Sequence, residues 1–313
     1  MATLKEIGAE LGLSAATVSR ALNGFPEVNK QTVDRVREAA DRLGYRPNRV
    51  AQRLVTGRSG MVGLIVKIRP DMSADQTFFE MLTGLTAALG AMETDLVLAV
   101  DQDNDPITPY RKLLERDILD GFILNAPIPD DPRVAFLQER GIPFVMHGQT
   151  APDVSYTCFG IDNAAVSEDA VRLLGSLGHK RIALINGQSR YAFAHDRLRG
   201  FEAAIAAESL HVPDAFIATD AETEMHGYTS ALDMLAGRDA AAPTAFVCAS
   251  TLVATGVIRA VKDRGLRVPE DVSVVGHDDV LPNLDPAHLD PPLTVTRAAL
   301  HDACVPLAEL LVA

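Results

Sequence analysis

Residues 3–23 read TLKEIGAELGLSAATVSRALN. Thr3 followed by Glu6 is the signature of a capping box, which starts a helix. Leu4, Ile7 and Leu11 then recur at spacings of three and four and form one apolar face. Gly12 breaks the helix and can take the left-handed conformation of a tight turn. Ser14 is a good N-cap for a second helix that buries Val18 and Leu22, and Asn23-Gly24 ends it. Two short helices joined by a turn containing Gly form a helix-turn-helix. Gly8, inside the first helix, costs about 1 kcal/mol relative to Ala. That cost is explained if the second helix approaches closely there. The alternative is a generic helical hairpin. The two caps, the turn Gly and the small residue, all at workable spacings, favour the helix-turn-helix. A third helix follows, capped by Asn29, facing inward through Val33, Val36, Ala40 and Leu43, and stopped by Gly44.

The charge distribution agrees with a nucleic-acid-binding head. The whole chain of 313 residues carries a net −13. Residues 1–58 hold ten Lys or Arg against six Asp or Glu, a net +4, which leaves −17 on the remainder. A basic segment on an acidic body points to a local polyanion-binding module. The second helix is expected in the major groove, with Ser14, Ala15, Ala16, Thr17, Ser19 and Arg20 nearest the bases. Ala15 and Ala16 can only contact a thymine methyl or leave room, so Arg20 is the main candidate for bidentate guanine reading. Thr3 and Asn23 complete the DNA-facing set of this head.

Beyond residue 60 the pattern changes. MVGLIVKI reads as a buried strand and TFFEMLTGLTAAL as a helix; DLVLAV, GFILN and PFVMH are further strands, with helices between them near 106–116 and 130–140. After residue 158 the rhythm resumes with a helix at 162–177, the strand RIALI and a helix at 195–207. A strand near 216–219, a helix at 224–236, TAFVCA, a helix at 252–264 and VSVVG complete it. Such alternation implies parallel sheets covered by helices on both faces, in two doubly wound subdomains. Ligands bind in the crevice at the carboxyl ends of such strands. No GxGxxG or P-loop pattern indicates a nucleotide. Cys158, Cys248 and Cys304 are scattered, without a disulfide framework or metal-ligand spacing. No cofactor and no metal are expected. The N-terminus has no signal-peptide core and no run is long enough to span a membrane, so the expected location is the cytoplasm.

The stretch PNRVAQRLVTGRSG, residues 47–60, joins the two parts. Linkers are usually polar and flexible, yet this one has Val50 and Leu54 one helical turn apart, with Arg49, Arg53 and Arg58. Pro47 suits the first turn of a helix.

Together, TLKEIGAELGLSAATVSRALNG, GYRPNRVAQRL, GHKRIALI, RLRGF, VPEDVSVVGHDD and PPLTVTR resemble the lactose-repressor family of bacterial transcription regulators. They occur in family order and cover nearly the whole chain. The resemblance implies a helix-turn-helix domain over 1–46 and a hinge helix and linker over 47–60. A two-lobed, periplasmic-binding-protein-like effector and dimerisation domain takes up 61–313. Lobe one is expected at about 61–158 plus 292–313, and lobe two at about 159–291. The resemblance also implies a homodimer on a pseudo-palindromic operator, whose paired hinge helices enter the minor groove. Leu54 would pry open a central base step there, a known minor-groove device, with Asn48, Arg49, Gln52 and Arg53 beside it. So short a helix is marginal alone, so DNA and the partner hinge must stabilise it.

In the body the resemblance places Arg197 and Asp278 against the effector, a small carbohydrate. An ionised carboxylate only accepts hydrogen bonds, which suits a polyol. His147 stands where the family often has Asp. Gln76, Thr77 and Phe78 align with a first-lobe loop that lines the cleft, and Tyr191 and Phe193 are stacking candidates. Ser250-Thr251 replaces the common Asn-Asp pair, and Ala298 replaces a polar position, so the ligand differs from that of well-known members, a disaccharide being one option. The family usually continues beyond residue 313 with a last strand. Two rival functions remain: a sugar-binding protein without a DNA role, and a sugar-modifying enzyme using Asp278 and His147. The basic head argues against the first, and the lack of a nucleophile motif, metal set or phosphate loop against the second.

Overall fold

The computed structural model describes residues 2–45, 58–67, 76–101, 105–151, 153, 155–210, 212–236 and 242–312. The chain separates into two units, Met1–Ser59 and Gly60–Ala313.

The first unit holds α1 (Leu4–Leu11), α2 (Ala15–Leu22) and α3 (Lys30–Arg42). Thr3, Ser14 and Asn29 cap them, each side chain accepting a backbone N–H from the first turn. The capping box is complete, because the Glu6 carboxylate accepts the Thr3 N–H at 2.7 Å. Gly12 takes φ 67°, ψ 30°, and its N–H returns to the Gly8 carbonyl. Ile7, Val18, Ala21, Val36, Ala39 and Ala40 form the core. A Cβ on Gly8 would stand 2.5 Å from the Leu13 carbonyl oxygen. The close approach is therefore made by the turn before α2, not by α2 itself. The hinge positions Asn48, Arg49, Gln52, Arg53 and Leu54 lie outside the described residues.

The second unit begins with β1 (Met61–Lys67), α4 (Gln76–Ala91), β2 (Asp95–Asp101), α5 (Thr108–Leu114) and β3 (Gly121–Leu124). It continues with α6 (Pro132–Glu139), β4 (Phe144–His147) and β5 (Cys158–Phe159). These strands pair in parallel in the order β2-β1-β3-β4-β5. On one face Leu64 and Ile123 pack with Leu85 of α4; on the other Phe122 and Leu124 pack with Tyr110 of α5 and Leu137 of α6.

The second lobe runs through α7 (Asn163–Ser176), β6 (Ile182–Asn186), α8 (Ala192–Ala207), β7 (Ile217–Thr219) and α9 (Glu224–Met234). Then come β8 (Ala245–Cys248), α10 (Thr251–Asp263), β9 (Ser273–Asp278) and β10 (Thr294–Arg297). The parallel order is β10-β9-β8-β6-β7. Every residue of β3, β6 and β8 is buried, as sheets covered on both faces require. The strand order reverses between β1 and β3, and again between β6 and β8. The carboxyl ends at those two points are where such folds take ligands.

The segment 292–313 does not return as a whole to the first lobe. β10 pairs with β9 from Thr294↔Val275 to Arg297↔Asp278, and Leu293 fills the second lobe's core. Only the chain from Leu300, ending in α11 (Cys304–Val312), packs in the first lobe, against α4, β3 and β4. The alternating TVTR pattern offers a strand that the open edge of β9 can use, whereas CVPLAELLV has the apolar stripe of a covering helix.

Candidate functional site

On α2, Ser14 Oγ accepts the Thr17 N–H at 3.1 Å and lies 2.8 Å from Thr17 Oγ1. Ala16 is exposed, and Ala15, Thr17 and Ser19 are half-buried. Asn23 turns its amide back to the Ser19 carbonyl at 2.9 Å, and the Thr3 hydroxyl meets Glu6 at 3.1 Å. Arg20 is exposed and makes no ion pair with a described residue. The α2 face thus offers one uncommitted guanidinium beside small side chains.

In the second lobe, Arg197 lies in the second turn of α8, because the helix starts at Ala192 and not at residue 195. The side chain is buried. Its Nε donates to Asn163 Oδ1 at 3.0 Å, and its Nη1 to the Ala249 carbonyl at 2.5 Å and to Glu222 Oε1 at 3.4 Å. Its guanidinium sits 5.3 Å from the centroid of the Phe193 ring. Tyr191 stacks on Phe193 with centroids 5.7 Å apart. The two aromatic candidates therefore form one platform at the start of α8, as the i, i+2 spacing across a helix N-terminus permits. Ser250 is buried and caps α10, accepting the Val253 N–H at 3.3 Å.

Asp278 ends β9 and is only 2% exposed. Its Oδ1 accepts the Val280 N–H at 2.9 Å, and its Oδ2 lies 3.3 Å from Arg297 Nε. Its neighbour His277 is buried, with Nδ1 3.0 Å from Thr296 Oγ1 and Nε2 3.6 Å from Asp279 Oδ1. Burial, and then the Arg197 charge, hold the His277 pKa at about 3. Burial raises that of Asp279, opposed by Arg197 and assisted by Asp278.

On the first lobe, His147 ends β4 with Nδ1 3.2 Å from Asn125 Oδ1. Burial lowers its pKa to about 4, so the ring is neutral near pH 7. Gln76, Thr77 and Phe78 form the first turn of α4 rather than a loop. Gln76 is exposed, and Phe78 packs edge-on against Phe79 at 5.5 Å.

The structure thus gathers Tyr191, Phe193, Arg197, Ser250 and Asp278 at the strand ends of the second lobe and sets His147 at those of the first. Sequence reasoning missed Asn125, Asn163, Glu222 and Arg297. Asn125 was the detectable one, being the polar last residue of the strand-like GFILN. Glu222 and Asn163 gain their place only through Arg197. A fixed donor, a fixed carboxylate acceptor and an aromatic platform are the groups that bind a hydroxylated ring with an apolar face.

Residues 3–48 match the model described as bacterial regulatory proteins, lacI family, and residues 171–313 the periplasmic binding protein-like domain. The HTH-type transcriptional regulator AglR of Rhizobium meliloti (strain 1021) is 40% identical over 310 residues, 99% of this chain and 86% of that protein. The chain belongs to the LacI family of bacterial transcriptional regulators. This LacI-family member also matches the structure of a transcriptional regulator CelR–cellobiose complex, with TM-score 0.71 and 28% identity over 100% of this chain and 92% of the other. The lac repressor dimer bound to operator and the anti-inducer ONPF shares the fold, with TM-score 0.81 and 24% identity over 99% and 91% of the two chains. As a LacI-family protein it is a DNA-binding transcriptional regulator with a helix-turn-helix head and a two-lobed body, not an enzyme.

Proposed function

We propose that this regulator is a cytoplasmic repressor of carbohydrate-utilisation genes that binds a pseudo-palindromic operator as a homodimer and is released or retained by a small sugar bound between its lobes. The observation that carries the sugar reading is Asp278, a buried carboxylate at a strand end with one oxygen held by the Val280 N–H. Arg197 and the Phe193 ring stand with it at the second lobe's strand ends. CelR, whose structure matches, is in complex with cellobiose. On the DNA side Arg20 is the reading residue of α2. The sequence of 47–60 supplies the hinge helix and linker, with Leu54 as the minor-groove wedge and Asn48, Arg49, Gln52 and Arg53 at the groove edges. Two-fold symmetry lets two heads read two half-sites.

The experiment is a thermal-shift screen of mono- and disaccharides, cellobiose included, with operator binding measured at several salt concentrations. A sugar that raises the melting temperature and changes operator affinity is expected. By linkage, a sugar that weakens operator binding must bind the DNA-bound dimer less tightly. Absence of DNA affinity even at low salt would defeat the reading.

A further inference from the structure

Arg133, on α6 at the edge of the first lobe, plays no part in the site as described, yet it is nearly buried. Its side chain is 13% exposed and that of its partner Asp131 is 0% exposed. Nε lies 2.9 and 3.1 Å from the two Asp131 oxygens, and Nη2 lies 2.5 Å from Oδ2. Nη1 donates to the Asn125 carbonyl at 3.2 Å and Nη2 to that of Ala126 at 3.4 Å. Asp131 in turn accepts the N–H of Ile128 at 3.3 Å and of Arg133 at 3.0 Å. One ion pair therefore fixes backbone groups all along the loop that leaves β3. The loop needs fixing, since Ala126, a residue with a Cβ, sits at φ 51°.

At the centre of that loop stands Pro127, buried, and a Cβ added to Gly148 would stand 3.3 Å from its ring. The Pro127 carbonyl accepts the N–H of Ala192 at 2.9 Å, across from the other lobe. Ala192 is 3% exposed and is the first residue of α8. The first N–H groups of a helix have no partner within it, and the N-cap Tyr191 supplies no side-chain bond. The cap of α8 is thus provided by the opposite lobe, and α8 is the helix that carries Phe193 and Arg197.

We infer that Arg133 is a positioning residue: by bracing residues 125–131 it holds the Pro127 carbonyl where it caps α8 across the lobes, and so sets how the second-lobe ligand groups face the first lobe. Its bearing on effector binding rests on the sugar reading above; the interlobe cap itself does not. Breaking the cap leaves a buried amide unpaired, a costly state that the lobes relieve by shifting.

Two variants of the full chain test this. Arg133→Met removes the brace. Ala192→Pro removes the donor and sets its ring Cδ where the amide hydrogen met the Pro127 oxygen, so the interlobe contact must open there; within α8 itself proline suits the first helical position, and Tyr191 at φ −93°, ψ 141° already has the conformation favoured before proline. Hydrogen exchange should show a protected Ala192 amide in the wild type. In Arg133→Met, exchange in the first turn of α8 should rise at least tenfold, while β6 and β8 keep wild-type protection. Loosening confined to α6 and the first lobe, with α8 unchanged, would mean a purely local role and overturn the inference. In titrations with cellobiose and the other sugars of the screen, both variants should shift affinity by a similar factor, tenfold or more; wild-type affinity in either overturns it. If no sugar stabilises the wild type, the effector reading fails, and the exchange result still decides the role of Arg133.

Discussion

Arg197 Nη1 donates to the carbonyl of Ala249 at 2.5 Å, joining the second turn of α8 to the loop between β8 and α10. The residue expected to meet the effector is thus held in place by protein groups. Its remaining bonds run to Asn163 and Glu222. A donor held this rigidly loses little entropy on binding, the advantage of preorganisation.

Removing that guanidinium takes the Nη1 bonds away from the Ala249 carbonyl and from Glu222 Oε1. Arg197→Met should abolish the sugar-induced thermal shift and lower the melting temperature. Adding Glu222→Gln should restore part of the stability without restoring the sugar response, because the two residues are directly coupled. A double variant as unstable as the single one would show that the Arg197–Glu222 contact does not carry the loss.

Arg20 carries the direct-readout prediction. Arg20→Ala should cost about 1–3 kcal/mol in operator binding and relax preference at one base position. The sugar-induced shift should stay as in the wild type. Operator variants assayed by competition would reveal the relaxed position; uniform weakening across all sequences would reassign Arg20 to phosphate contact.

Gly8 carries the packing prediction for the head. A Cβ there would press on the Leu13 carbonyl oxygen, a backbone atom that can move only if the turn opens. Gly8→Ala should destabilise the head by about 1–3 kcal/mol, the cost of overpacking, and weaken operator binding while sparing the sugar response. Gly12→Ala differs in cause: its φ of 67° strains the backbone although nothing lies within 4 Å.

Stability should also fall on acidification. The folded chain keeps His147 neutral down to about pH 4, whereas the unfolded chain takes up that proton from its ordinary value of 6.5. Between those values the unfolded state binds more protons, so stability present above pH 6.5 is lost as pH falls toward 4. His277, depressed to about 3, acts in the same direction. Asp279 is raised, so it acts in the opposite direction, favouring the fold at lower pH. Chemical unfolding at pH 7 and pH 5 should show a loss in the wild type that His147→Asn reduces; an equal loss in both would remove His147 from the account.

Much of this was readable along the chain because it depends on neighbours in sequence. Thr3, Ser14 and Asn29 cap helices because each lies three residues before the N–H it accepts. Parallel strands declare themselves as short apolar runs, since both faces are covered. The positions of Arg197 and Asp278 came from the motifs RLRGF and GHDD. Local pattern is neutral on which elements meet. TVTR reads as a strand but does not say which sheet it joins, and TFFEMLTGLTAAL reads as a helix without showing that its first turn holds the residues aligned with a cleft loop.

The sequence by itself determined the three-helix head, the alternation of strands and helices, and the family to which the chain belongs. Each of these rests on periodicity, on caps a few residues apart, or on motifs read in order. Only the tertiary structure decided that Glu222, Asn163 and the Ala249 carbonyl converge on Arg197, that β10 completes the second sheet, and that Pro127 caps a helix of the other lobe. Those pairings join groups far apart in the chain, and a hydrogen bond between them depends on where two separate backbones come to rest, which no local pattern encodes.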